Sequence, residues 1–220
     1  MGGLGSFVVR RLGRQAPRIV WADPPMHIAF AAAVLGGLGL FIGDPTLVVA
    51  VRVAAEGLAL VLCVRGHPYV APAAVFAAAM LALSGHATGA GAQFADVLHV
   101  LSAGMWAGGI LALASLRPPE GWTSLEARAM LERFGRVALI AFGITALTGL
   151  LRATEQLHGL SDLWTTTYGI VLLLKSAGVL VMLALSLMWR RGLAVSRFEA
   201  GAAVLVVGAT ALLASFPAQA

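Results

Sequence analysis

A chain of 220 residues that is 60% hydrophobic and only 11% charged, with a mean hydropathy of +0.90, has too few polar side chains to clothe a water-soluble core. It reads as an all-α integral membrane protein. The net charge of +5 does not mark a nucleic-acid binder, because the basic residues fall in short blocks between apolar runs, where they set orientation in a bilayer.

Residues 1–25 interleave Arg10, Arg11, Arg14 and Arg18 with Leu4, Phe7, Val8 and Leu12, the pattern of a basic amphipathic helix lying at a membrane interface. Pro24 and Pro25 close this segment, and a single transmembrane domain is expected over 26–216. Span one runs from Met26 to about Gly43. Gly43, Asp44 and Pro45 turn the chain into span two, which ends near Val64, and Arg65, Gly66, His67 and Pro68 make the next turn. Span three covers about Tyr69 to Gly85, and span four about Phe94 to Leu116. Arg117 to Arg136 reads as a polar loop holding one helical turn, followed by span five over about Val137 to Leu151. A second polar loop, Arg152 to Thr167, precedes span six, Tyr168 to Trp189. Arg190, Arg191 and Arg197 come before a last run that reaches Phe216. At roughly 20 apolar residues per crossing, this is a bundle of about seven helices.

Alternate connections must lie on opposite sides of the bilayer. With the N-terminus cytoplasmic and the C-terminus periplasmic, twelve of the 15 basic residues fall on the inside and only Arg152 on the outside, with Arg52 and Lys175 inside spans. That asymmetry sets the orientation. It puts His86, Asp96, His99, Glu155, His158 and Asp162 at the outer face, and Met26, His27, Cys63 and His67 at the inner one.

The densest polar cluster surrounds the short Gly/Ala-rich connection from Ser84 to Gln93. Asp96, His99, Ala103 and Trp106 share one helix face, and Gly104 with Gly108 forms a small patch that admits a close neighbour. His86, Asp96 and His99 offer two imidazoles and a carboxylate, a donor set for a divalent transition metal such as copper. The alternative is that His86 and His99 cap helix ends at the water boundary. His158 either completes the site or is a solvated loop residue. At the inner face Met26, His27, Cys63 and His67 supply thioether, thiol and imidazole, ligands suited to Cu(I), or else pack as ordinary apolar residues. The lone Cys63 excludes an intramolecular disulfide.

Arg52, Glu56 and Lys175 lie within spans, where a lone charge costs about 2.5–3.5 kcal/mol. They are expected to face the bundle interior as an Arg52–Glu56 or Glu56–Lys175 pair that fixes helix register, with a proton relay as the alternative. Two interior cations also disfavour an open pore for a metal cation.

GHA at 85–87, ADVLHVLSAGMWAGG from Ala95 to Gly109, RFGRVALIAFGITALTGLLRA, and LWTTTYGIVLLLK from Leu163 to Lys175 together resemble the bacterial copper resistance protein D family. The resemblance runs from about Ser84 to the end of the last span; residues 1–83 fall outside it. Its most specific parts are Asp96, His99 and Trp106 on one helix and Thr166, Tyr168, Gly169 and Lys175 at the start of span six. It implies a multi-pass inner-membrane protein of copper handling, not an enzyme, working with a periplasmic copper-binding protein. Two other classes stay open at this point: a haem-b cytochrome using pairs such as His86 with His99 or His27 with His67, and an accessory protein that delivers copper. The chain has no P-loop, so nucleotide is not expected to drive it.

Overall fold

The computed structural model describes residues 2–15, 19–84, 89–157 and 159–190. Among the described residues every regular element is a helix: α1 (Gly2–Arg14), α2 (Met26–Gly43), α3 (Leu47–Val64), α4 (Val70–Leu83), α5 (Ala90–Ala114), α6 (Leu125–Gln156), α7 (Asp162–Thr165) and α8 (Thr167–Arg190). Five of them, α2, α3, α5, α6 and α8, are long and apolar enough to cross a membrane. The last expected span, ending near Phe216, lies outside the described residues.

Local chemistry sets the helix ends. Pro24 and Pro25 sit just ahead of α2, and Asp44, Pro45 and Thr46 separate α2 from α3, where the Thr46 hydroxyl accepts the Val49 N–H at 3.4 Å. Each of these two helices has 18 residues, about 27 Å, close to the hydrocarbon thickness.

Two expected spans differ from the structure. Span three is α4, with only 14 residues; at about 21 Å it is too short to cross a bilayer of about 30 Å alone. The turn after α3 takes its first residue, Tyr69, and the Ser84 hydroxyl bonds back to the Leu81 carbonyl at 2.8 Å where the helix closes. Span five is α6, which has 32 residues and absorbs twelve positions of the expected polar loop, from Leu125 to Arg136. Ser124 starts it, its hydroxyl accepting the Ala127 N–H at 3.3 Å, and Ala127, Met130, Leu131 and Phe134 then bury one face at helical spacing.

Helices α2, α3 and α4 pack as successive neighbours; α4 also meets α5, and α5 meets α6. Helix α1 departs from this order and lies along α5. It is amphipathic as read, and its Leu4 and Val9 side packs against protein. Leu4 and Val9 are buried, and a Cβ on Gly5 would overlap the backbone of Gly108 and Gly109. The small patch on α5 does admit a close neighbour, and that neighbour is α1. Val9 enters the main core with Trp106, Leu113, Met130 and Phe134. On the flanks of the crossing helices Leu35, Leu139, Ile140, Leu147, Leu174 and Leu180 stay exposed, the surface expected of helices that face lipid.

Candidate functional site

The seam between α5 and α6 holds the polar residues that matter most. The two helices run antiparallel, so contacts step upward on one as they step downward on the other. Trp106 meets Phe142 edge-on with ring centroids 5.0 Å apart. One turn nearer the start of α5, Ser102 Oγ and Thr145 Oγ1 stand 2.8 Å apart. One turn further, His99 Nδ1 and Thr148 Oγ1 stand 3.0 Å apart. Asp96 continues this row towards the start of α5, and it and Gln93 are both half-buried and engaged in interactions of their own.

This seam corrects the expected setting of His99. Helix α5 begins at Ala90, earlier than the expected start near Phe94, so His99 is nine residues in, about 14 Å along the axis. It does not cap a helix end. Its ring turns to α6, where Gly149 leaves it room: a Cβ there would lie 3.3 Å from His99 Cε1. Thr148 is 5% exposed and Ser102 4%, so water does not reach their hydroxyls freely. An imidazole held inside a helix seam, one turn from a carboxylate, can bind a soft or borderline metal cation or pass a proton.

Sequence reading missed Ser102, Thr145, Thr148 and Gly149, because single hydroxyl residues in an apolar run look like filler. A signal was present: Asp96, His99 and Ser102 recur every three residues, and the next long helix carries Thr145 and Thr148 at the same spacing. His86 and His158, the other expected donors, lie outside the described residues. Among the described residues no group of three or more His, Cys, Asp or Glu is close enough to hold a metal ion.

The inner set separates into packing and surface. Met26 is buried in a cluster with Phe30, Ala59 and Val70, and Cys63 packs against it. His27 and His67 are exposed; the His67 ring lies 5.1 Å from that of Tyr69. The structure thus brings Met26 and Cys63 together as apolar residues and leaves both histidines on the surface.

The intramembrane charges resolve into one pair. Arg52 Nε and Glu56 Oε1 are 3.0 Å apart on α3, while α3 and α8 make no contact, so the expected Glu56–Lys175 alternative does not form. Lys175 is half-buried on α8 and makes no ion pair among the described residues. The residues at the start of α8 form a corner. The Thr166 hydroxyl donates to the Asp162 carbonyl at 2.6 Å and accepts the Gly169 N–H at 3.0 Å, which caps α8. A Cβ on Gly169 would overlap the backbone of Asp162 and Leu163, so glycine lets α7 fold tightly onto α8. Tyr168 is half-buried and also engaged. The threonine and glycine of this motif therefore shape a helix junction, and Trp106 shapes the α5–α6 seam.

Residues 128–214 match the family model described as copper resistance protein D. The match starts inside α6, so it holds Thr145, Thr148 and the α7–α8 corner but not His99. A stretch of 93 residues is 38% identical to the copper transport protein CutJ of Bacillus subtilis strain 168, covering 41% of this chain and 17% of the Bacillus protein. The chain therefore spans a small part of that relative's length. No solved structure matches the chain.

Proposed function

We propose that the chain is a member of the copper resistance protein D family, whose model its residues 128–214 match, and that it moves copper across a bacterial inner membrane or hands it over there. His99 is the ligand of this reading. The observation that carries it is the position of that imidazole, inside the seam of two apolar crossing helices and one turn from Asp96. His86, four residues ahead of α5, is the second imidazole expected from sequence, with His158 as a further donor.

The proposed orientation has the N-terminus inside. Its support is that basic residues gather at one end of the bundle. Val9 and Leu12 of α1 share a core cluster with Leu113 and Leu116 at the end of α5, and Arg11 and Arg14 on the one helix and Arg117 just after the other lie within a few residues of that cluster in sequence. Phe7 of the same helix packs in the cluster with Cys63, close to Arg65. Asp96 and His99 then lie towards the outer side, where a periplasmic copper-binding protein is the partner this reading calls for.

The test is copper affinity of the purified full chain in detergent, measured by competition with a chelator. His99→Ala is expected to lose affinity, and Asp96→Asn to lose about 10- to 100-fold if the carboxylate orients the imidazole. Unchanged affinity in both variants overturns the reading.

A further inference from the structure

We infer that the Trp106–Phe142 pair is the floor of the α5–α6 seam, a barrier that opens the polar row above it to one face of the membrane only. Helix α5 has 25 residues, about 37 Å, and Ser102 lies about 18 Å from its start. The row of Gln93, Asp96, His99 and Ser102 thus reaches half way along the helix and ends there. Ser102 and Thr148, the buried polar side chains that α5 and α6 contribute among the described residues, both lie on the side of the pair where α5 begins. Next comes the barrier itself, Trp106, 4% exposed, with its ring edge-on to Phe142 at 5.0 Å.

Beyond the pair, the residues that α5 and α6 bury among those described are all apolar, with Ile110, Leu113, Met130 and Phe134 the largest. The stretch is also closed on two sides. A Cβ on Gly109 would overlap the Phe134 ring, and one on Gly5 of α1 would overlap the Gly108 and Gly109 backbone. Backbone carbonyls here are engaged in the helices' own hydrogen bonds. A hydrated cation moving past Trp106 would therefore exchange its water for no oxygen or nitrogen donor of either helix, which makes the stretch a dry constriction. Met130 and Met182 lie in the same cluster with no exposed surface, so they fill space and do not line a path. That the cation is copper rests on the function proposed above. With the pair closed, the seam takes up and returns its cation on the face where α5 begins, and carriage across the bilayer requires the two rings to part.

Access to position 102 reads the barrier without copper. In the full chain carrying Cys63→Ser, Ser102→Cys is exposed briefly to Ag+ in chloride-free buffer, from outside in spheroplasts or from the cytoplasmic side in inverted vesicles. Thiol that has reacted is scored, after denaturation, as loss of maleimide labelling. Ag+ is a soft cation like Cu(I), which thiolate and thioether ligands select, so a path through methionine would also register. A separate cysteine at Gly91, near the start of α5, marks which preparation presents that face. Loss of labelling is expected from the Gly91 face alone, and from both faces once Phe142→Ala or Trp106→Ala is added, with one-sided labelling at Gly91 retained as the sign of a folded bundle. Phe142→Ala is the milder change, because Phe142 is half-buried. Loss from both faces without either change, from the opposite face alone, or from neither overturns the inference. So does one-sided access that persists in both variants. Copper affinity that ignores His99→Ala removes the copper reading instead and leaves the barrier standing, since Ag+ reports it with no copper bound.

Discussion

Replacing Arg52 with methionine should destabilise the protein more than replacing Arg52 and Glu56 together. The two side chains form a pair at 3.0 Å with only 13% and 7% of their surface exposed, in the middle of a helix long and apolar enough to cross the membrane. Glu56 Oε1 is held by Arg52, but among the described residues Oε2 has no hydrogen-bond partner and faces α2, where a Cβ on Gly37 would come within 2.5 Å of it. Among the described residues Arg52 is thus the group that offsets the carboxylate charge. Removing one member of a buried pair typically costs about 3–5 kcal/mol, and a lone charge at mid-membrane costs about 2.5–3.5 kcal/mol on insertion scales. Both routes give about 3 kcal/mol for Arg52→Met. Glu56→Gln strands the arginine instead and should cost a similar amount. In the double variant no charge is left uncompensated, so the loss should shrink to about 1 kcal/mol or less, since apolar replacement of a whole buried pair is often neutral. Reversible unfolding in mixed micelles, followed by tryptophan fluorescence, supplies the four stabilities of a double-mutant cycle. Additive single effects would show that the pair carries no coupling and would refute the reasoning.

Two further outcomes follow from packing and orientation. Gly5→Leu should release α1 from α5, because even the first added carbon overlaps the backbone of Gly108 and Gly109; faster amide exchange across Gly2–Arg14 would register the release, at a cost of about 1–3 kcal/mol, and unchanged exchange would mean that α1 docks some other way. In a Cys63→Ser background, a cysteine at Gly91 should react with an impermeant maleimide in intact spheroplasts, while one at His67 should react only after lysis. The reverse pattern would invert the proposed topology.

Composition alone settled that this chain belongs in a membrane, because no arrangement of 60% hydrophobic side chains can be hidden from water at this length. The boundaries of α2, α3 and α8 were equally legible, since Pro25, Pro45 and the Thr-x-x-Gly turn at Thr166 act within a few residues of themselves. The Arg52–Glu56 pair was readable too, because four residues on one helix always share a face. What sequence could not reveal was which helix each face would meet. Arg128, Arg133 and Arg136 made the first twelve residues of α6 look like a loop, and only the packing of Met130, Leu131 and Phe134 against the core shows a continuous helix. The helix α1 carries the pattern of a surface helix, yet the glycines on α5 offer it a tighter fit than lipid does. His99 was found as a candidate from its spacing to Asp96, but its setting was decided by α6. A hydroxyl 49 positions away meets its ring at 3.0 Å, and that contact exists only once antiparallel packing has put Thr148 opposite it.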